Sequence, residues 1–287
     1  MIRFLVFGDL HYDTISDGEQ RIKELIDKAQ KEKVDFIVSL GDLCFPIEEN
    51  RHVLEKFKTA GIPIYHTIGN HDTQVCSIEE MLLFLSNDNS YYSFEYGEYK
   101  CIILDSCFWQ NQSGQHHFPN KRREPAIYPV IPCDEVLWLK KELSDNKKYI
   151  IFSHQSLVNE FGNRGIRNRQ EILDLYVGKN IILCMNGHDH GDDLKIINNI
   201  PFYTVNASSG YCWWGGNPSG SEVKDLPYKN ALHVVIELDE TEIRIKGIES
   251  EYQDETPDDV GVRNYRWNGV SIQPKTSSYR LTLHNKN

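Results

Sequence analysis

The sequence predicts an α/β fold in which two packed, mixed β-sheets are flanked by helices. Three observations carry that expectation. Apolar runs without polar alternation take turns with amphipathic helical stretches over most of the chain. These runs end repeatedly in glycine or in a polar residue. Past residue 195 the helical patterns stop while strand-like runs continue. Strands covered on both faces read as unbroken apolar runs, so the first pattern indicates a sheet layered between helices.

In chain order, residues 2–7 form the first run and end in Gly8-Asp9. Residues 19–31 then place Ile22, Leu25, Ile26 and Ala29 on one helical face. A second strand, 35–40, ends in Gly41-Asp42, and after a helix at 53–60 a third, 64–68, ends in Gly69-Asn70-His71-Asp72. Residues 91–95 and 99–105 flank Tyr96-Gly97-Glu98 and read as a hairpin. Strands at 149–152 and 181–185 follow helices at 134–143 and 169–177, and end in Ser153-His154 and Asn186-Gly187-His188. The later runs, 195–200, 202–206, 231–238 and 242–248, are expected to make a mostly antiparallel second sheet packed on the first. Residues 1–249 therefore read as the main domain. The polar remainder, 250–287, reads as a peripheral extension whose short strands at 269–273 and 279–284 form a hairpin.

Composition narrows the function classes. With 287 residues, 40% hydrophobic and 25% charged, the chain has material for a sizeable core and is no disordered or fibrous protein. Its net charge of −11 gives no general attraction to phosphate backbones, which argues against a nucleic-acid partner. No run approaches the roughly 18 apolar residues of a spanning helix, and the apolar stretch at 4–7 is too short for a signal-peptide core. The cysteines are odd in number (7) and include no Cys-x-x-Cys, so reduced thiols and a cytoplasmic location are expected.

Chemistry gathers at five strand ends: Asp9-Leu10-His11, Gly41-Asp42, Gly69-Asn70-His71-Asp72, His154, and Gly187-His188-Asp189-His190. Leaving aside Leu10 and the glycines, every residue there is a metal-ligand or proton-transfer type: four Asp, one Asn and five His. Taken singly each piece is weak, because Asn and Asp after Gly are ordinary turn chemistry and a lone His is usually a packing residue. Together they are hard to obtain by accident, since the carboxyl ends of neighbouring strands in an open α/β sheet face one crevice. Mixed carboxylate, amide and imidazole donors suit Mn, Fe, Zn or Co better than Ca or Cu(I).

This series of motifs resembles the calcineurin-like metallophosphoesterase superfamily, and the match spans residues 9–190. The resemblance implies an α-β-β-α sandwich and a centre of two divalent metal ions (Mn, Fe or Zn). One ion would be held by Asp9, His11, Asp42 and His190, and the other by Asp42, Asn70, His154 and His188, with Asp42 shared. A hydroxide between the ions would attack phosphorus, and His71 would protonate the leaving group. Asp72 reads as a turn residue.

Departures from the family's branches sort the substrate. Gly41-Asp42-Leu43-Cys44-Phe45 lacks the arginine segment of the protein Ser/Thr phosphatases, and Phe45 stands where purple acid phosphatases carry a ligating tyrosine. The UDP-diacylglucosamine hydrolases have arginine at the place of His71. The double-strand-break nucleases share most of the ligand set, but the acidic charge argues against a grip on DNA. What remains resembles the phosphodiesterase branch, acting on phosphodiester or nucleotide pyrophosphate bonds of a small phosphorylated substrate. A phosphomonoesterase and a non-enzymatic metal-binding scaffold are the alternatives. Two segments hold candidate substrate groups: the long irregular stretch 107–133, with Arg122 and Arg123, and the stretch 208–220, with Trp213 and Trp214.

Overall fold

Successive residues of β1 (Ile2–Phe7) face opposite ways, as in any strand. Phe4 and Val6 enter one apolar cluster, while Leu5 and Phe7 enter another. That alternation sets the layers of the whole molecule. The computed structural model describes residues 1–118, 128–159, 164–211, 225–261, 266–267 and 270–283. After β1 come α1 (Gly18–Glu32), β2 (Phe36–Ser39), α2 (Arg51–Thr59), β3 (Ile64–His66), α3 (Ile78–Leu85), β4 (Tyr92–Tyr96) and β5 (Tyr99–Ile103). Next are β6 (Phe108–Asn111), β7 (Gly114–His117), α4 (Cys133–Glu142), β8 (Lys148–Ser153), α5 (Arg169–Leu175), β9 (Ile181–Asn186), β10 (Asp193–Ile197) and β11 (Ile200–Thr204). The chain closes with β12 (Val234–Leu238), β13 (Glu242–Lys246), β14 (Arg266–Trp267), β15 (Val270–Ser271) and β16 (Tyr279–Thr282).

Two six-stranded mixed sheets result, ordered β16-β13-β12-β1-β2-β3 and β10-β11-β9-β8-β5-β4. Between them lies a cluster that includes Phe4, Phe36, Ile150, Phe152 and Ile236. A second cluster packs Leu5, Phe7 and Ile37 against Ile22, Leu25 and Ala29 of α1 and Phe57 of α2. The third packs Ile102 and Ile151 against Leu139 of α4 and Ile172 of α5. The expected α-β-β-α layering is thus the observed one.

Its strand assignment differs from expectation. The later strands do not form a sheet of their own: β12 and β13 join the first sheet through β1, and β10 and β11 join the second through β9. The physical reason lies in β12, which is buried along its whole length and so needs an interior position, supplied by the free side of β1. The hairpin expected between 269–273 and 279–284 is also corrected. Tyr279–Thr282 pairs antiparallel with β13, whose edge would otherwise be open, while Val270–Ser271 pairs with Arg266–Trp267. Within the stretch read as irregular, β6 and β7 form a regular hairpin. Helix α3 was not anticipated, although Ser77 and Glu80 form a capping box at its start.

Among the described residues no helix is long and apolar enough to cross a membrane. The described cysteines are free thiols, all buried except Cys133.

Candidate metal centre

Strands β1, β2 and β3 run parallel in the first sheet, and β5, β8, β9 and β11 run parallel in the second. Each sheet therefore gathers its strand ends along one edge, and the two edges are stitched together. The His154 Nδ1–H after β8 donates to Leu40 O after β2 (2.7 Å). The His188 N–H after β9 donates to Asp9 Oδ2 after β1 (2.9 Å).

The side chains at this seam form two clusters of donor atoms. In one, His154 Nε2 lies 3.1 Å from His188 Nδ1, 3.2 Å from Asn70 Oδ1 and 3.3 Å from Asp42 Oδ2. In the other, His190 Nε2 lies 3.2 Å from Asp9 Oδ1 and 3.4 Å from His11 Nε2, which is 3.8 Å from Asp42 Oδ2. Two ligands bound at about 2.1 Å to one cation, at angles of 90–110°, stand about 3.0–3.4 Å apart. The donor sets Asp9, His11, His190 and Asp42, His154, His188 each fit one small cation, and Asp42 Oδ2 faces both clusters. All seven residues are buried.

The backbone is bent to make this possible. Asp9, His11, Asp42, His188 and His190 adopt left-handed φ values of 48–65°, five of the nine non-glycine residues that do so among those described. Asp, Asn and His tolerate this region better than most residues, but it still costs about 1–2 kcal/mol each. Glycines provide the close approaches: a Cβ at Gly69 would sit 2.1 Å from Asp42 Oδ1, and one at Gly187 would sit 2.5 Å from Asp9 Oδ2. Strain concentrated on one constellation of ligand types is a functional signature.

Hydrogen bonding aims the donors. Each carboxylate uses one oxygen on backbone, Asp9 Oδ2 on the His188 N–H and Asp42 Oδ1 on the His71 N–H (2.7 Å), and turns the other toward the imidazoles. Because a carbonyl can only accept, the bond to Leu40 O keeps the His154 proton on Nδ1 and presents Nε2 to the cluster. Burial works against charge on His154, yet Asp42 and Asp9 outweigh it and raise its pKa to about 9. Burial likewise opposes ionisation of Asp9 and Asp42, but the surrounding imidazoles hold both below the usual carboxylate range. The field of this pocket attracts positive charge. His11, lowered by burial to about 3, stays a neutral donor.

His71 stands beside these clusters with its ring 4.8 Å from that of His11. Gln74 Nε2 donates to His71 Nδ1 (2.8 Å), which puts the imidazole proton on Nε2. Arg122, Arg123, Trp213 and Trp214 lie outside the described residues.

Other residues here escaped the sequence reading. Asp72 is more than a turn residue: it is buried, and its carboxylate accepts the N–H groups of Asp42 (2.9 Å), Leu43 (3.0 Å) and Gly69 (2.8 Å), tying the ends of β2 and β3 together. Tyr211 sets its ring 4.7 Å from His11. Ser209 Oγ donates to Asp9 O (3.2 Å), and the buried Arg21 donates to Ser208 O (2.9 Å). Only Asp72, inside the Gly-Asn-His-Asp motif, carried a sequence signal.

Fold and paired clusters together define a metallophosphoesterase, a metal-dependent hydrolase of phosphoric esters. A family model described as calcineurin-like phosphoesterase matches residues 2–192, and the chain belongs to that family. A manganese-dependent ADP-ribose/CDP-alcohol diphosphatase of Arabidopsis thaliana is 22% identical over 251 residues, covering 66% of this chain and 80% of that protein. A dimetal phosphatase from Danio rerio has a similar fold, with a TM-score of 0.67 at 13% identity and 98% of each chain covered. GAP50, described as the anchor in the inner membrane complex of Plasmodium, has a TM-score of 0.59 at 16% identity, with 100% of this chain and 90% of that one covered.

Proposed function

We propose that this protein hydrolyses the phosphodiester or nucleotide pyrophosphate bond of a small molecule at a centre of two divalent cations. The observation that carries the reading is Asp42 Oδ2, which faces His154 Nε2 at 3.3 Å and His11 Nε2 at 3.8 Å. Asp9, His11, Asp42 and His190 would hold one cation, and Asp42, Asn70, His154 and His188 the other. Bound there, the pair would supply Lewis acidity toward a phosphoryl group and acidify water. The relative's manganese dependence favours Mn, and the donor set also suits Fe or Zn.

The chain's own residues do the rest. By holding the cations in place, the buried carboxylates and imidazoles would keep a phosphoryl group bound to those cations in one orientation, which converts an encounter into an oriented reaction. His71, with its Nε2 proton and its backbone N–H tied to Asp42, is the proposed proton donor to the leaving oxygen. Arg122, Arg123, Trp213 and Trp214 remain the groups proposed to grip the second substituent. The thiols support a reducing, cytoplasmic setting.

A comparison of p-nitrophenyl phosphate, bis-p-nitrophenyl phosphate and ADP-ribose as substrates of the Mn-loaded protein tests the proposal. Faster turnover of the diester and the pyrophosphate is expected. Monoester hydrolysis alone would establish the phosphomonoesterase alternative. Two tightly bound ions with no hydrolysis of any of the three would establish a scaffold, a role the fold also allows.

A further inference from the structure

The segment that follows β11 is held against the metal-bearing strand end with unusual thoroughness. The Ser208 N–H donates to Gly8 O (2.9 Å) and Ser209 Oγ donates to Asp9 O (3.2 Å). The Tyr211 N–H donates back to Ser209 Oγ (3.2 Å), so one hydroxyl links Tyr211 to the backbone of Asp9. Behind the segment, Arg21 of α1 is 1% exposed. Its guanidinium donates to Ser208 O (2.9 Å), Asn230 O (3.0 Å) and Tyr228 O, and through Nε and an Nη to the two oxygens of Asp17 (2.8 Å each). All five N–H donors of the guanidinium are occupied in this way. A buried cation with every donor on neighbouring chain fixes that chain and leaves nothing for a ligand.

What the device presents is Tyr211. Its ring lies 4.7 Å from that of His11 and tilted by 55°, and His71 packs on His11 edge-on at 4.8 Å. Tyr211 is only half-buried. A half-buried aromatic ring on an anchored backbone beside a candidate metal ligand is suited to a planar or sugar-like group carried on the phosphorus bound there.

Resting on the phosphodiesterase reading above, we infer that Tyr211 is a substrate-positioning residue, its ring receiving the nucleoside-like substituent that remains on phosphorus, with Ser209 and Arg21 as the residues that place it. Two diesters with the same leaving group separate this from a packing role: p-nitrophenyl thymidine 5′-phosphate and methyl p-nitrophenyl phosphate. Tyr211→Ala should keep both Mn equivalents and raise KM for the thymidine ester roughly tenfold. Its kcat, and KM for the methyl ester, should change little. Tyr211→Phe, which retains the ring, should restore KM, and Ser209→Ala should shift it in the same direction by less. Calorimetric binding of thymidine 5′-monophosphate to the Mn-loaded protein reads the same contact without turnover, and should weaken about tenfold in Tyr211→Ala. Equal losses on both esters, loss of metal in Tyr211→Ala, or unchanged nucleotide binding would each overturn the inference. A wild-type protein that hydrolyses neither ester yet binds the nucleotide through Tyr211 would refute the phosphodiesterase reading and leave the aromatic contact standing.

Discussion

The cluster around His154 and the cluster around His11 share a carboxylate and differ in construction. In the first, the contacts fall within 3.1–3.3 Å, His154 is fully buried, and its far nitrogen is anchored on Leu40 O. In the second, they spread over 3.2–3.8 Å, and two rings, His71 and Tyr211, flank His11. The tight cluster is the proposed holding site, with His154 anchored on the backbone at the end of β2. The looser one borders the groups proposed to meet substrate. The two clusters are thus proposed to divide holding from access, with Asp42 Oδ2, which faces both, as the hinge between them.

Breaking that hinge should have the largest effect. Outer partners of metal ligands typically cost 10–100-fold when removed, so Asp42→Asn, which alters the shared ligand itself, should cost on the order of a thousandfold or more in activity. Elemental analysis should find less than one equivalent of metal in that variant, and two full equivalents would refute the sharing.

Substitutions on either side should then sharpen the contrast. His190→Ala is expected to retain about one cation, and His188→Ala to perturb the tighter site. A chelator titration of the wild type should release metal in two phases, and a single phase would mean that the clusters are equivalent.

His71→Ala should be milder in metal and selective in chemistry. Both cations should remain, while kcat falls about 10²–10⁴-fold for an alkoxide leaving group and much less for p-nitrophenolate. A loss independent of leaving-group pKa would assign His71 to phosphate contact.

The smallest effect should come from a buried imidazole belonging to neither cluster. Burial first, and Lys58 second, lower His66 to about 4. Its folded pKa lies below the unfolded value of 6.5, so the stability it contributes is complete above pH 6.5 and is lost as pH falls toward 4. The total is up to about 3 kcal/mol. His66→Gln should therefore flatten the fall in Tm between pH 7 and 5, and a parallel fall in both proteins would contradict the assignment.

The contrast between the clusters also marks where the sequence stops being informative. Asp9, His11, Asp42, Asn70, His154, His188 and His190 were legible because few residue types bind metals and each followed a recognisable strand. Which sheet each strand joins was not legible. Runs such as 150–152 and 234–236 are apolar on both faces, and their order depends on which neighbour leaves an edge to cover. Ser209 and Arg21 act through backbone groups close in the fold but far away in sequence (|i−j| = 200 for Ser209 to Asp9 and 187 for Arg21 to Ser208), so no local pattern announces them, whereas Asp72 stands inside the Gly-Asn-His-Asp motif. Tyr211 is one tyrosine among 15 until its ring is found beside His11.

Two cations are proposed to share Asp42. Anomalous diffraction from crystals of this protein soaked in Mn²⁺ tests it most directly. Two peaks about 3.5–4 Å apart, with the Asp42 carboxylate between them and the His154 and His11 clusters on either side, are the predicted result. A single peak, or two ions each with its own carboxylate and none in common, would contradict it.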